Sequence, residues 1–374
     1  MQRETLTPRA DWQRQCDDLG FYFHSLDGVY WDESACYRLS SSEIDMLEEA
    51  TETLHALCIA AVDHVITQRA FAPFALPAWF IDYVVESWHA DEPTLFGRFD
   101  LRYDGINAPK LLEYNADTPT SLIEAAVAQW HWQQAVKPRA DQFNSLHERL
   151  IEHWKVIREY YHNPVLYFAC VKDNSEDLGN LEYLRDTALQ AGMVTRQIFI
   201  EDIGWHAARA QFTDLDNNAL PALFKLYPWE WIAGEAFGRH VPAAKIPLIE
   251  PAWKVLMSSK ALLPVLWELN PGHPNLLPCY YKLNEKLQME YVRKPIYSRE
   301  GANVELHTRR GTIAHLGSYG AEGFIYQAYA ALPDFDGNFP VIGSWIVGDA
   351  AAGIRENTQQ ITTNSSRFVP HYFN

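Results

Sequence analysis

Basic residues are the scarce class in this chain. Its 374 residues hold 31 Lys and Arg against 48 Asp and Glu, a formal net charge of −17. Nucleic acids and anionic lipid surfaces are both bound through clustered cations, so this balance argues against either as a partner. Cysteine is scarce as well. Cys16, Cys36, Cys58, Cys170 and Cys279 are odd in number, far apart and form no CxxC pair. That argues against a disulfide framework or a thiolate zinc site, and for a reducing cytoplasm. No apolar run approaches the ~18 residues of a membrane span. Met1–Pro8 lacks the apolar stretch of a signal peptide. The 14 His form neither HxH nor HExxH, and no Gly-x-Ser-x-Gly elbow occurs. Zinc-protease and serine-hydrolase chemistry therefore have no local signature.

Apolar residues make up 48% and aromatics 13%, a globular composition. The length suits two or three domains with ample core. Residues 1 to about 90 read as mostly helical. Ser41 or Ser42 is an expected N-cap for a helix whose stripe runs through Leu54, Leu57, Ile59 and Val62. Gly97–Tyr103 and Lys110–Asn115 read as strands around the turn-rich Asp104–Pro109, hence a β-hairpin. Ser121-Leu-Ile-Glu then has a capping-box pattern, opening a helix to about Gln134. Residues 164–203 read as a βαβ unit: strand Pro164–Val171, helix Glu182–Gln190, strand Val194–Ile200. Further on, a helix is expected over Ser258–Asn270, and strands at Tyr291–Ile296, Phe324–Tyr329 and Phe339–Val347.

Four constellations carry charge or hydroxyls in useful patterns. Strand alternation puts Arg98 with Asp100, and Glu113 with Asn115, on single faces. If the faces align, two carboxylates and an amide oxygen converge as a hard-oxygen set for Mg²⁺; an ordinary charged hairpin fits the pattern too. Thr118, Thr120 and Ser121 cluster at a helix start, where free N–H groups favour an anion such as a substrate carboxylate; simple capping is the alternative. Lys294, followed by a polar turn containing Gly301, resembles a cover for nucleotide phosphates. Ala352-Gly-Ile-Arg-Glu reads as a turn that can aim Arg355 at phosphoryl charge, or as solvated surface charge.

Taken together, several stretches resemble the glutathionylspermidine synthetase-like family of ATP-grasp ligases, in particular its short stand-alone members, the acid–amine ligases. They are Gly97-Arg-Phe-Asp, Leu112-Glu-Tyr-Asn-Ala-Asp-Thr-Pro-Thr-Ser, Phe224-Lys-Leu-Tyr-Pro-Trp-Glu, Ser258-Ser-Lys-Ala-Leu-Leu-Pro, Val292-Arg-Lys-Pro-Ile-Tyr-Ser-Arg-Glu-Gly-Ala-Asn-Val and Gly353-Ile-Arg-Glu. They run in family order along almost the whole chain.

The resemblance implies an α/β (α+β) architecture: a permuted ATP-grasp fold with an inserted Rossmann-like pre-ATP-grasp domain. The implied divisions are 1–150 (helical region and metal-binding hairpin), 151–250 (Rossmann-like domain), 251–325 (lid) and 326–374 (C-terminal core). The permutation follows from order, since Glu113-x-Asn115 precedes Lys260 and Lys294.

By position, the resemblance implies Mg²⁺ at Asp100, Glu113 and Asn115. It places ATP at Lys260, Lys294, the turn of Gly301 and, in the strand leading to the adenine, Gln327. Arg98 meets the acid, with Arg299 and Arg355 near the reacting phosphate. Thr118, Thr120 and Ser121 lie at the acid pocket, and Glu176 and Asp177 receive an amine. The implied activity is amide-bond formation between a glutathione-like acid and a polyamine-like amine through an acyl-phosphate. The alternatives are a nucleotide-binding regulatory protein or a bare ATPase. The family pattern Glu-Tyr-Asn-Ala-Asp-Ser-x-Ser-Cys reads here with Pro119 and Ser121 at its end, and Leu226 replaces a small polar residue. These departures lie at the implied acid pocket and bear on which acid is used. Oligomeric state leaves no trace in the sequence.

Overall fold

The computed structural model describes every residue except 26–27, 163, 288–289, 359–360 and 362–365, and no side chain at 352 or 355–358. It is a mixed α/β structure. Its central sheet has five antiparallel strands in the order Phe368–Val369, Ala350–Thr358, Pro340–Val347, Phe96–Arg102, Lys110–Asn115. The two ends of the chain therefore build one sheet. A four-stranded parallel sheet comes from the middle, in the order Leu248–Ile249, Ala222–Lys225, Leu166–Cys170, Thr195–Phe199. A third, antiparallel sheet of five strands follows, ordered Cys279–Tyr280, Phe324–Ala328, Tyr291–Pro295, Glu305–Thr308, Gly311–Ala314. Among the described residues no helix is long and apolar enough to cross a membrane.

The helix Ser41–Thr67 is capped by Ser40, one residue before the expected caps. Ser40 and Glu43 form the reciprocal capping box, because only that serine has a glutamate three positions on. Leu47, Leu54, Cys58, Val62 and Val65 make its buried stripe. Nor is the N-terminal region uniformly helical, since Gln2–Thr5 and Ala35–Leu39 form a small sheet with His371–Phe373. Two breaks in expected helices matter for the site. The box expected at Ser121 does not form: Ser121 has φ +76°, and the Leu122 N–H donates to Asn180 instead. The helix beyond contains a π-turn at Ile123–Ala128 before Gln129–Val136. The helix expected over Ser258–Asn270 is split into Lys254–Ser258 and Leu262–Leu269. Ser259 accepts from the Ala261 and Leu262 N–H groups, ending one helix and starting the next, and Lys260 sits in the gap.

Elsewhere the helix Ser175–Gln190 starts seven residues earlier than expected, where Asn174 accepts from the Asp177 N–H as N-cap. Gly353-Ile-Arg-Glu is strand, not turn: Trp345 pairs with Gly353 and Gly343 with Arg355, with a register shift at Trp345/Ile346.

Central and parallel sheets meet through aromatics. Phe96 stacks on Trp345 and Phe224, and Phe224 packs against Phe168 and Trp154. Beside this core lies a buried ion pair that fastens the start of Phe96–Arg102. Glu250 accepts from the Leu95 and Phe96 N–H groups at 2.9 and 3.1 Å, and Lys254 Nζ lies 3.0 Å from Glu250 and donates to the Phe96 carbonyl at 2.7 Å. Burial pushes the Glu250 carboxyl up despite Lys254.

Removing one partner of such a pair strands the other away from water. Lys254→Met should therefore destabilise the fold by roughly 3 kcal/mol. Urea unfolding followed by tryptophan fluorescence measures this; an unchanged midpoint would show that the pair is not a fastening.

Candidate active site

The hairpin Phe96–Arg102/Lys110–Asn115 is irregular at one point. Asp100 pairs with Glu113 and Arg98 with Asn115, but Leu101 then pairs with Leu111. Leu112 is the extra residue of a β-bulge, which re-aims its neighbours and frees its carbonyl from the ladder. The third sheet takes up what the bulge offers. Lys294 Nζ donates to the Leu112 carbonyl at 2.8 Å and to Gln327 Oε1 at 2.8 Å, while Gln327 Nε2 donates to the Leu111 carbonyl at 3.0 Å.

On the same face the expected oxygens converge. Asn115 Nδ2 stands 3.4 Å from both Asp100 Oδ2 and Glu113 Oε1. Arg98 Nε lies 2.9 Å from Asp100 Oδ1, and its Nη1 donates to the Thr120 carbonyl at 2.7 Å. Lys260 Nζ lies 3.1 Å from Glu113 Oε2 and donates to the Ser298 carbonyl at 3.0 Å. Burial opposes ionisation of Glu113, but Lys260 and Lys294 outweigh it and hold the carboxyl below its ordinary range. Burial pushes Lys294 down. As donor chemistry, two carboxylates and an amide fit Mg²⁺, provided that Asn115 turns its amide oxygen inward; its two orientations are nearly isosteric.

Two cavities share this face. The first, about 340 Å³, lies between the hairpin and the third sheet. Its walls are apolar at Val292, Val304, Leu306 and Val341, with Ala328 to Leu332 alongside, and it ends at Asp100, Glu113, Lys294, Gly301 and Gln327. An apolar slot ending at a lysine and two candidate metal-binding carboxylates suits a base and its phosphates. The second, about 220 Å³, is lined by Arg98, Asn115, Thr118, Thr120, Ser121, Glu176, Asp177 and Arg299, and again by Asp100, Glu113 and Gly301.

The parallel sheet explains why Glu176 and Asp177 reach it. Leu166–Cys170 has Thr195–Phe199 on one side and Ala222–Lys225 on the other, so the strand order reverses here, and the following helix opens at the carboxyl edge. The Thr118–Ser121 loop is held to this sheet by a buried pair. Asp117 lies 2.6 Å from Lys225 Nζ and accepts from the Trp229 N–H at 2.8 Å. From the loop after the strand Tyr291–Pro295, Arg299 donates to Thr118 Oγ1, stands 4.0 Å from Glu230 and lies 5.4 Å over the Trp231 ring.

Thus fourteen of the fifteen expected side chains gather at one place. Arg355 lies on the strand opposite Gly343, but its side chain is outside those described. In the turn of Gly301, the Ala302 and Val304 N–H groups donate within the turn itself and so are not those that meet a phosphate. The sequence reading missed Tyr30, Asn174, Trp231 and Glu300 in the second cavity, and Arg310 and Asp334 in the first. Glu300 lies inside, and Trp231 directly after, stretches already singled out; Tyr30 carried no signal at all.

The chain is similar to several known proteins. A family model described as "Glutathionylspermidine synthase preATP-grasp" matches residues 3–374. A protein of Haemophilus influenzae named "Putative acid--amine ligase" is 40% identical over 393 residues, covering 100% of both chains. The "Bifunctional glutathionylspermidine synthetase/amidase" of Escherichia coli is 27% identical over 91% of this chain, which spans 60% of that protein. "Trypanothione synthetase" of Crithidia fasciculata is 27% identical over 84% of this chain, with 53% of its own length covered. Among solved structures, a glutathione synthetase-like effector of Globodera pallida superposes with a TM-score of 0.61 over 99% of this chain and 98% of the other, at 10% identity. That likeness concerns the fold alone.

The second cavity has an electrostatic signature that can be measured. Burial first, then Glu124 and Asp177, push Glu176 from 4.5 to about 8, offset in part by a hydrogen bond with Thr120. Burial likewise raises Asp177 to about 6, against the pull of Arg299. For Glu176 the unfolded carboxyl ionises first, so wild-type stability falls as pH rises from about 4.5 to about 8. A Glu176→Gln variant escapes that loss. Its urea midpoint should gain on wild type across this interval and run parallel above it; a difference independent of pH would remove the assignment.

Proposed function

The chain belongs to the glutathionylspermidine synthase preATP-grasp family, and we propose that it is an ATP- and Mg²⁺-dependent acid–amine ligase whose reaction is centred on Asp100 and Glu113. The observation that carries this reading is the meeting of two unlike cavities at those carboxylates. One has apolar walls and lysine at its end. The other carries arginines, hydroxyls and raised carboxylates. A nucleotide in the first and an acid in the second bring a γ-phosphate and a carboxylate together across the shared edge.

In the proposed reaction the acid's carboxylate oxygen attacks the γ-phosphorus, giving an acyl-phosphate and ADP. The amine nitrogen then forms a bond to the acyl carbon while the carbon–oxygen bond to phosphate breaks. Positioning and charge neutralisation do most of the work in such transfers. Lys260 and Lys294 offset phosphate charge, with Arg299 and Arg355 near the transferred group. Arg98 and the Thr118–Ser121 loop hold the carboxylate. Glu176 and Asp177 receive a cationic amine, and a carboxyl that ionises near neutrality is suited to take its proton. Asp100, Glu113 and Asn115 would hold Mg²⁺, which when bound neutralises phosphate charge.

The same reading extends to the architecture: a permuted ATP-grasp core at 1–150 and 326–374, a Rossmann-like insertion at 151–250 and a lid at 251–325. It is supported by a central sheet built from both chain ends and by the parallel sheet between them. The names of the relatives favour a peptide acid and a polyamine as the substrates. Ser121, where the family pattern has Cys, leaves a hydroxyl at the acid pocket.

Incubation with ATP, Mg²⁺, a panel of peptide acids and a panel of polyamines tests the reading, with phosphate release and product mass as readouts. Acid- and amine-dependent release with a condensed mass is expected. Release independent of the amine would identify an ATPase, and binding of ATP without release a regulatory protein. Lys294→Ala should weaken ATP binding roughly 10- to 100-fold, the worth of a charged hydrogen bond; titration calorimetry reads this directly. Glu113→Gln should lower Mg²⁺-dependent turnover by about 100-fold or more while the fold persists, as steady-state phosphate release will show.

A further inference from the structure

The candidate metal ligands are already partnered by the protein's own cations. Asp100 is paired with Arg98, and Glu113 with Lys260, while Lys294 sits behind the same bulge. Counting charges, two carboxylates face three cations, so these side chains sum to +1. A lone divalent cation meets repulsion there, whereas a metal carried on a polyphosphate meets attraction.

The three cations are not equally fixed. The planar guanidinium of Arg98 is tied at both ends, to Asp100 and to the Thr120 carbonyl. Lys294 is buried between the Leu112 carbonyl and Gln327. Lys260 has its backbone anchored, since its N–H donates to the Ile296 carbonyl at 3.0 Å. Lys260 is as buried as Lys294, but of the two lysines only its ammonium, a point charge on a flexible four-carbon stem, holds a candidate metal ligand, one oxygen of Glu113, together with the Ser298 carbonyl. Glu113 is 28% exposed and opens into both cavities.

We propose that Lys260 is a gate on the metal site: it occupies Glu113 until nucleotide phosphates draw its ammonium away, and only then is Glu113 released to the metal. This rests on the functional reading above. Metal and nucleotide then bind with positive coupling, and by linkage each raises the affinity of the other by the same factor. No bond is made or broken in the exchange; one ammonium changes acceptors.

Mn²⁺ serves as the probe, with free ion followed by electron paramagnetic resonance and protein-bound ion by water-proton relaxation, on the full chain. Without nucleotide, wild type should bind Mn²⁺ weakly, and Lys260→Met at least about tenfold more tightly, the usual scale of such coupling. Lys260→Gln is the second variant should Lys260→Met fail to fold, and Lys260→Arg, which retains the charge, should stay like wild type. Adding Glu113→Gln to Lys260→Met should abolish the gain. Equal Mn²⁺ affinity in wild type and in the folded charge-removing variant overturns the gate. Wild type with a non-hydrolysable ATP analogue provides the separate arm. A ternary relaxation signal there, with no gain in Lys260→Met, sinks only the gate. No ternary signal from wild type would remove the metal site, and with it the functional reading.

Discussion

One extra residue in one strand organises the site. Because Leu112 is unpaired in the ladder, the strand Lys110–Asn115 changes phase relative to Phe96–Arg102 beyond Asp100 and Glu113. As an edge strand, a regular Lys110–Asn115 would turn only alternate carbonyls outward; the bulge lets the consecutive carbonyls of Leu111 and Leu112 both meet the third sheet, through Gln327 and Lys294. The geometry of the oxygens and the seat of the third sheet are therefore set by the same irregularity. Buried supports hold the surroundings in place: Glu250 and Lys254 at the start of the strand, Asp117 and Lys225 beneath the adjoining loop.

Charge is arranged by location rather than by total. The chain is strongly acidic, yet four of its cations, Arg98, Lys260, Lys294 and Arg299, gather where two carboxylates meet two cavities. Across the second cavity the sign reverses, and Glu176 and Asp177 stand where burial and neighbouring carboxylates disfavour ionisation. A gradient from cationic to anionic groups spans the distance of a small molecule. An anionic reactant and a cationic one entering together would be oriented by it without any further contact.

Much of this was legible in the sequence because strand alternation is a rigid rule. Arg98, Asp100, Glu113 and Asn115 had to share faces once both runs were strands, and they do. Helix limits were less legible where tertiary contacts intervene. Ser121 has the local pattern of a cap, but Asn180 claims the next N–H and the backbone turns left-handed. Gly353-Ile-Arg-Glu looked like a turn because of its glycine, yet the sheet absorbs it: a Cβ there would come within 2.9 Å of the Phe143 carbonyl, so the glycine answers to close packing. Tyr30 and Trp231 enter the second cavity from distant segments, and no local spacing encodes that. The break at Ser259–Ala261 was hidden inside a run of good helix formers, although it is what brings the Lys260 backbone to the Ile296 carbonyl.

The central sheet has a consequence for how the chain is made. Leu101 pairs with Ile342, and those partners stand 342 − 101 = 241 positions apart. At ribosomal rates of about 5–20 residues per second, the inner strand of the hairpin waits on the order of 10 s or more for its neighbour. Throughout that interval one edge of Phe96–Arg102, where Phe96, Phe99 and Leu101 are interspersed with Arg98, Asp100 and Arg102, has no strand partner, and such an edge can pair with other chains. Synthesis therefore passes through a long stage in which the parallel sheet can form while the central sheet cannot. The length of that stage is written by the order of the strands rather than by any one side chain.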